Sequence, residues 1–231
     1  MLKLVIFDLD RTLFDWDETQ RLAKKHVNKI LQKHIDITTF WKIYNLEHDA
    51  LWNNFLQKNL TIERYRVERY LKPLQSLGIN NKSLAMELNA CFVHYALQSN
   101  LFCQGAEQAL DFCKKMGLRI VLLTNGPKIG QYQKIKYLDL KRWCDTYYVS
   151  EEQGIAKPDA QAFLNICQQF KVMPEQCLMV GDDLYFDILP ALTLGMKVFW
   201  IGGNNKHAEI EQFSLTEFPR HVKTLINPSE I

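Results

Sequence analysis

The stretch LVIFDLDRTLF, residues 4–14, is apolar until it ends in two aspartates one residue apart, Asp8 and Asp10, with Thr12 two positions further on. Along an extended chain alternate side chains share a face, so Asp8 and Asp10 point to the same side. Three other stretches put polar groups where apolar runs stop. Thr124-Asn125-Gly126 follows residues 118–123, Gly181-Asp182-Asp183 follows residues 177–180 with Asp187 close behind, and GIAKPD sets Lys157 in a loop before a helix. In open α/β sheets, ligands bind beyond the carboxyl ends of the strands. One rim would therefore gather carboxylates, a hydroxyl, an amide and an ammonium. Crowded carboxylates repel one another unless a cation joins them, and hard oxygen donors suit Mg²⁺. A cation, Lys157 and backbone N–H groups together can neutralise the oxygens of a phosphoryl group. One strand-end carboxylate can then attack phosphorus to form an aspartyl-phosphate. The other can protonate the leaving alcohol and later activate water.

The elements needed to position these groups are legible. Residues 2–7 read as a short buried strand. Strands are expected at 117–126, 146–150, 176–183 and 196–203, and helices at 106–116, 128–138, 158–170 (opened by Pro158) and 184–194. Strands alternating with helices imply βαβ units and a mostly parallel sheet covered on both faces. Between Thr19 and Gln98 the pattern is helical. Val27, Ile30, Leu31 and His34 share one helical face, as do Phe40, Ile43, Tyr44, Glu47, Leu51 and Phe55, and as do Leu84, Leu88, Phe92 and Tyr95. About 80 residues of helix thus separate the first strand from the second. Such an insert usually sits at an end of the sheet and forms a lid. The stretch from Asn204 onward has too little pattern to place.

Bulk properties exclude several classes. At roughly 150 residues per domain, 231 residues allow one large domain, or a core with a smaller partner. A net charge of +2 is too near neutral for a nucleic-acid groove or a polybasic membrane patch. No run approaches the length of a membrane span, and the first apolar stretch, broken at once by Asp8 and Asp10, is no signal peptide. A soluble cytoplasmic protein is expected. The six cysteines include no C-x-x-C pair, so buried reduced thiols are expected.

The segments FDLDRTLF, LLTNG, GIAKPD and GDDLYFDI resemble, in order, the four motifs of the haloacid dehalogenase (HAD) superfamily, and about residues 1–201 follow that plan. The resemblance implies an α/β fold: a Rossmann-like parallel sheet core, residues 1–17 and 99–231, with an inserted α-helical cap domain, residues 18–98. It implies that Asp8 is the nucleophile and Asp10 the general acid/base. Thr124, Asn125 and Lys157 would bind phosphate. Asp8, the Asp10 backbone carbonyl and Asp182 would bind Mg²⁺, with Asp187 or Asp183 as a further ligand or as support for Lys157; Asp187 is the preferred choice. Dehalogenase members lack a carboxylate at the position of Asp10, because a halide needs no proton, so the resemblance favours a phosphatase. Many phosphatases of this type carry Gly where this chain has Arg11, and a positive φ is therefore not obligatory there. A bulky polar residue at this position is similar to the branch containing pyrimidine 5′-nucleotidases and acylneuraminate-9-phosphatases. The segment ALWNNFLQKNLTIERYRVERY, residues 50–70, resembles the nucleotidases through its Leu-Trp, its Thr and Arg69-Tyr70. A nucleoside 5′-monophosphate is the implied substrate class, a sugar phosphate the alternative. The partner is a small phosphorylated metabolite rather than a nucleic-acid polymer or a membrane.

Each motif also has an ordinary reading. Asn125-Gly126 is a common turn pair, Asp183 suits a helix cap, and Trp41, Trp52, Phe55 and Tyr70 suit a helical core. Arg66 and Arg69 fit either solvent or substrate. Outside enzymes, a phospho-aspartate receiver module or a scaffold on the same fold would use similar residues. Receivers, however, are much shorter and lack the helical insert. A phosphonatase would be expected to carry a Schiff-base lysine in the cap, and none of the cap lysines sits in an apolar pattern.

Overall fold

The computed structural model describes residues 1–202 and 210–226. The chain forms two compact units: Met1–Trp16 with Asn100–Ile231, and Asp17–Ser99. The first is a six-stranded sheet, all of whose pairings are parallel, in the order β3-β2-β1-β4-β5-β6. The strands are β1 (Leu4–Phe7), β2 (Arg119–Thr124), β3 (Thr146–Val149), β4 (Cys177–Gly181), β5 (Lys197–Ile201) and β6 (Gln212–Phe213). Central β1 pairs Leu4 with both Arg119 and Cys177, and Phe7 with both Leu122 and Val180.

Strand periodicity divides the core. Val5 and Phe7 face one side with Ile120, Leu122 and Val180, under α5 (Ala106–Lys115), α6 (Lys128–Tyr137) and α10 (Phe218–Ile226). Leu4 and Ile6 face the other side with Val121, Leu123 and Met179, under α8 (Ala160–Phe170) and α9 (Leu189–Thr193). Both sheet faces are covered, as the continuous apolar strands require. The C-terminal stretch supplies a sixth strand and α10, whose Phe218 is fully buried with its ring 5.6 Å from that of Phe7. Gly203, expected to end the last strand, lies outside the described residues.

Four helices build the second unit: α1 (Trp16–Leu31), α2 (Ile37–Leu56), α3 (Ile62–Ser76) and α4 (Lys82–Ala96). Asp36, Thr61 and Asn81 cap the last three through their side chains. The stripes differ in detail from the sequence reading. Helix α1 buries Thr19, Ala23, Val27 and Leu31, and His34 is exposed beyond its end. Helix α4 buries Leu84, Leu88, Phe92 and Ala96, so the i,i+4 stripe reaches Ala96, and Tyr95 is exposed and stacks on His26.

Other boundaries move for identifiable reasons. Asp159 caps α8 by accepting from the Gln161 N–H, which leaves Pro158 one residue before the cap rather than in the first turn. Residues 184–194 split into a wide π turn, Leu184–Ile188, followed by α9. Ser150 leaves its strand to start the single turn α7 (Ser150–Gln153). All six cysteines are free thiols, but only Cys113, Cys167 and Cys177 are buried. Among the described residues no helix is long and apolar enough to cross a membrane.

Candidate active site

The site forms at the carboxyl ends of β1, β2 and β4, where the strand order reverses. The Asp8 N–H donates to the Val180 carbonyl at 2.9 Å, extending the β1–β4 ladder by one residue and fixing Asp8 at the rim. The chain then turns sharply: the Leu9 carbonyl accepts from the N–H groups of Thr12, Leu13 and Phe14, and the Arg11 N–H donates to the Phe14 carbonyl. This turn holds Arg11 at φ 64°. The expectation that Arg in place of Gly removes the need for a positive φ is therefore wrong. The turn's hydrogen bonds impose the left-handed conformation, at a cost of roughly 1–2 kcal/mol for a residue with a Cβ.

Lys157 is the hub of the site. Its Nζ donates to Asp8 Oδ1 at 2.6 Å and to Asp187 Oδ1 at 2.5 Å, and all three side chains are buried. Asn125 braces the loop that delivers it: Asn125 Oδ1 accepts from the Lys157 N–H at 3.0 Å, and Asn125 Nδ2 donates to the Lys157 carbonyl at 2.8 Å. Asn125 thus uses its side-chain amide to hold the loop that carries Lys157. Each end of its amide makes one hydrogen bond to a loop backbone that needs partners. Thr124 is buried, and its hydroxyl accepts from Gln131 Nε2 at 2.6 Å. Ser150 Oγ accepts from the Gly126 N–H at 3.0 Å and pins the same turn.

The acids after β4 separate by role. Asp183 Oδ1 accepts from the N–H groups of Tyr185 and Phe186, so it caps the π turn. That turn swings Asp187 inward, where its Oδ2 accepts from the Asp183 N–H. Gly181 makes room for it: a Cβ there would lie 2.3 Å from Asp187 Oδ2. Asp182 is half-buried, and its carbonyl accepts from Trp200 Nε1 at 3.0 Å. Oxygen atoms of Asp8, Asp182 and Asp187 all lie within 4.8 Å of one another.

Three carboxylates facing one buried lysine leave an excess of negative charge. Burial pushes the Asp8 carboxyl well above the usual range, against the pull of Lys157. Burial also raises Asp187, and burial together with the charge on Asp187 raises Asp182 to about 7. The Lys157 ammonium, despite its burial, is held charged by Asp187 and Asp8. An oxygen-only donor set with surplus charge fits a hard divalent cation such as Mg²⁺.

Asp10 is reached from α6. Lys134 Nζ lies 2.7 and 2.8 Å from its two carboxylate oxygens, and Gln131 Nε2 lies 3.0 Å from Oδ2. Neither residue stands out in the sequence. The signal was a helix whose buried face is Gly130, Gln131, Lys134 and Ile135 rather than an apolar stripe.

Residues 2–195 match the haloacid dehalogenase-like hydrolase family. The chain belongs to that family. It is 29% identical to glyceraldehyde 3-phosphate phosphatase from Pyrococcus furiosus, over 97% of this chain and 93% of the relative. It is 29% identical to human N-acylneuraminate-9-phosphatase, over 88% and 84%. Pyrimidine 5′-nucleotidase PynA from Streptococcus pneumoniae is 26% identical, over 90% and 86%. The magnesium-bound HAD-hydrolase YfnB from Bacillus subtilis superposes with a TM-score of 0.76 at 19% identity, covering 98% of this chain and 99% of that one. The resemblance to the nucleotidase and acylneuraminate-phosphatase branch therefore holds, and the Rossmann-like HAD fold is shared with solved HAD hydrolases.

Proposed function

We propose that this HAD hydrolase is a Mg²⁺-dependent phosphomonoesterase that works through an aspartyl-phosphate on Asp8. The observation that carries this reading is the Lys157 bridge, 2.6 Å from buried Asp8 and 2.5 Å from Asp187, inside a carboxylate cluster at the switch point of the sheet. Asp8, Asp182, Asp187 and the Asp10 carbonyl would hold Mg²⁺, which when bound supplies positive charge to the phosphoryl oxygens. Lys157 and the Thr124 hydroxyl hold those oxygens from the protein side. An oxygen of Asp8 attacks phosphorus as the ester P–O bond breaks, and Asp10 gives its proton to the departing alcohol oxygen. Ionised Asp10 then takes a proton from a water whose oxygen attacks phosphorus. The Asp8–phosphorus bond breaks, phosphate leaves, and both aspartates return to their starting state.

In the same proposal the helical unit, residues 18–98, is the cap domain that selects the substrate, a small phosphorylated metabolite. The stretch 50–70 and the likeness to PynA support a nucleoside 5′-monophosphate. The coverage of the Pyrococcus phosphatase, nearly end to end, favours a sugar phosphate as the second reading. A protein acting in the cytoplasm fits both. The test is phosphate release with Mg²⁺ from a panel of nucleoside and sugar monophosphates. The wild type is expected to turn over and Asp8→Asn to lose at least about a thousandfold while keeping its fold. Full activity in Asp8→Asn would overturn the assignment. The preferred ester in the panel decides between the two substrate classes.

A further inference from the structure

Helix α6 contributes nothing to the four motifs, yet two of its side chains hydrogen-bond the Asp10 carboxylate. Lys134 Nζ meets both carboxylate oxygens, at 2.7 and 2.8 Å, and Gln131 Nε2 meets Oδ2 at 3.0 Å. The two residues are three apart, so they project from one face of the helix. Between them they fix both the position and the plane of a short side chain that has only two rotatable bonds. The Gln131 amide also lies 2.6 Å from Thr124 Oγ1 and 3.2 Å from the Asn125 carbonyl. One side chain therefore sets the spacing between Asp10 and the turn assigned to phosphate.

Lys134 does not behave as a surface lysine. Lysines ordinarily lay their stems on the protein and keep the ammonium in water. The Lys134 side chain is only 7% exposed, and its ammonium sits 4.3 Å from the centre of the Trp16 ring and 5.3 Å from that of Phe14. A charge held there needs polar partners, and the Asp10 oxygens supply them, both of them in the ionised form that follows proton transfer to the leaving oxygen.

We infer that Gln131 and Lys134 are a positioning pair, which orients the Asp10 carboxyl toward the leaving oxygen and so makes the enzyme competent on esters of poorly leaving alcohols. This rests on the reading of Asp10 as the general acid/base. It goes beyond that reading in naming the residues that hold the group, and in tying them to one class of leaving group. Alkyl alkoxides need a proton as they depart. A p-nitrophenolate hardly does. Loss of orientation at Asp10 therefore slows alkyl esters and spares the aryl ester.

The experiment compares turnover of p-nitrophenyl phosphate with that of the alkyl monoester most rapidly cleaved in the panel above. Lys134→Met is expected to lower kcat on the alkyl ester by about 30-fold, part of the roughly 10²–10⁴-fold that general acid catalysis contributes, and on the aryl ester by no more than about 3-fold. Lys134→Arg, whose guanidinium also binds both oxygens of a carboxylate, is expected to restore most of the alkyl rate. Gln131→Met is expected to show the same split, and it carries the test if Lys134→Met does not fold. Equal losses on both esters, or no loss on either, would overturn the positioning role. Asp10→Asn separates the two levels. If it shows the leaving-group split and the α6 variants do not, only the pair is wrong. If it shows no split itself, Asp10 is not the acid, and the pair falls with it.

Discussion

At Arg11 the backbone is held at φ 64° by hydrogen bonds from both sides of the turn, so the residue's conformation is set by the site rather than by its own preference. Two substitutions test this. Arg11→Gly removes the left-handed strain, roughly 1–2 kcal/mol, but loosens the unfolded chain by about 0.4–1 kcal/mol. Arg11→Val loses the same side-chain interactions and adds a branched Cβ where one fits worst. Urea denaturation is expected to find Arg11→Gly the more stable of the two by about 2 kcal/mol, and equal midpoints would remove the strain from the account. Asp8, Thr124 and Asp182 could be placed at one rim from the sequence because each sits at the end of an apolar run, and the structure brings them to the carboxyl ends of β1, β2 and β4. Arg11 misled because sequence alone shows the side chain and not the turn bonded around it. The bracing of the Lys157 loop by Asn125 was hidden, because the sequence does not show that its amide meets the Lys157 backbone at both ends.

Elements were legible wherever the periodicity was strong. The alternation Leu4/Ile6 against Val5/Phe7 divides between the two cores as the pleat requires. Helix α10 and the short β6 were not, since their burial depends on Phe218 meeting Phe7 and Phe199 from more than 200 positions away in one case. The π turn after β4 was also hidden, because its function is steric. It turns Asp187 back over Gly181, where no Cβ fits. Gly181→Ala tests that arrangement. Displacing the Asp187 carboxylate from Lys157 and the Asp183 N–H is expected to cost about 1–3 kcal/mol, as overpacking does, and to weaken Mg²⁺ binding measured by calorimetric titration. Unchanged stability together with unchanged affinity would show that Asp187 tolerates the shift.

The whole molecule combines a sheet unit that holds the motif residues with a helical unit inserted between β1 and β2. If the proposed Mg²⁺ site is right, three carboxylates gathered at the rim of the sheet would make the folded state a better cation ligand than the unfolded chain, and a divalent cation would act as a stabiliser. At a hundred times its dissociation constant, Mg²⁺ is expected to add about 2.7 kcal/mol, or roughly 5–10 °C in the melting of the sheet unit. Scanning calorimetry with and without chelator checks this, and a midpoint indifferent to Mg²⁺ would remove the cation from the site. In the proposed mechanism Asp8 itself becomes phosphorylated. The most direct measurement is acid quench during turnover of p-nitrophenyl phosphate, whose leaving group hardly needs a proton, followed by mass spectrometry of the peptide containing Asp8, with Asp10→Asn used to slow the second step. A hydroxylamine-sensitive phosphoryl group is expected on Asp8, accumulating in Asp10→Asn and absent in Asp8→Asn. A phosphoryl group on another residue, or turnover with none on Asp8 in either protein, would contradict that mechanism.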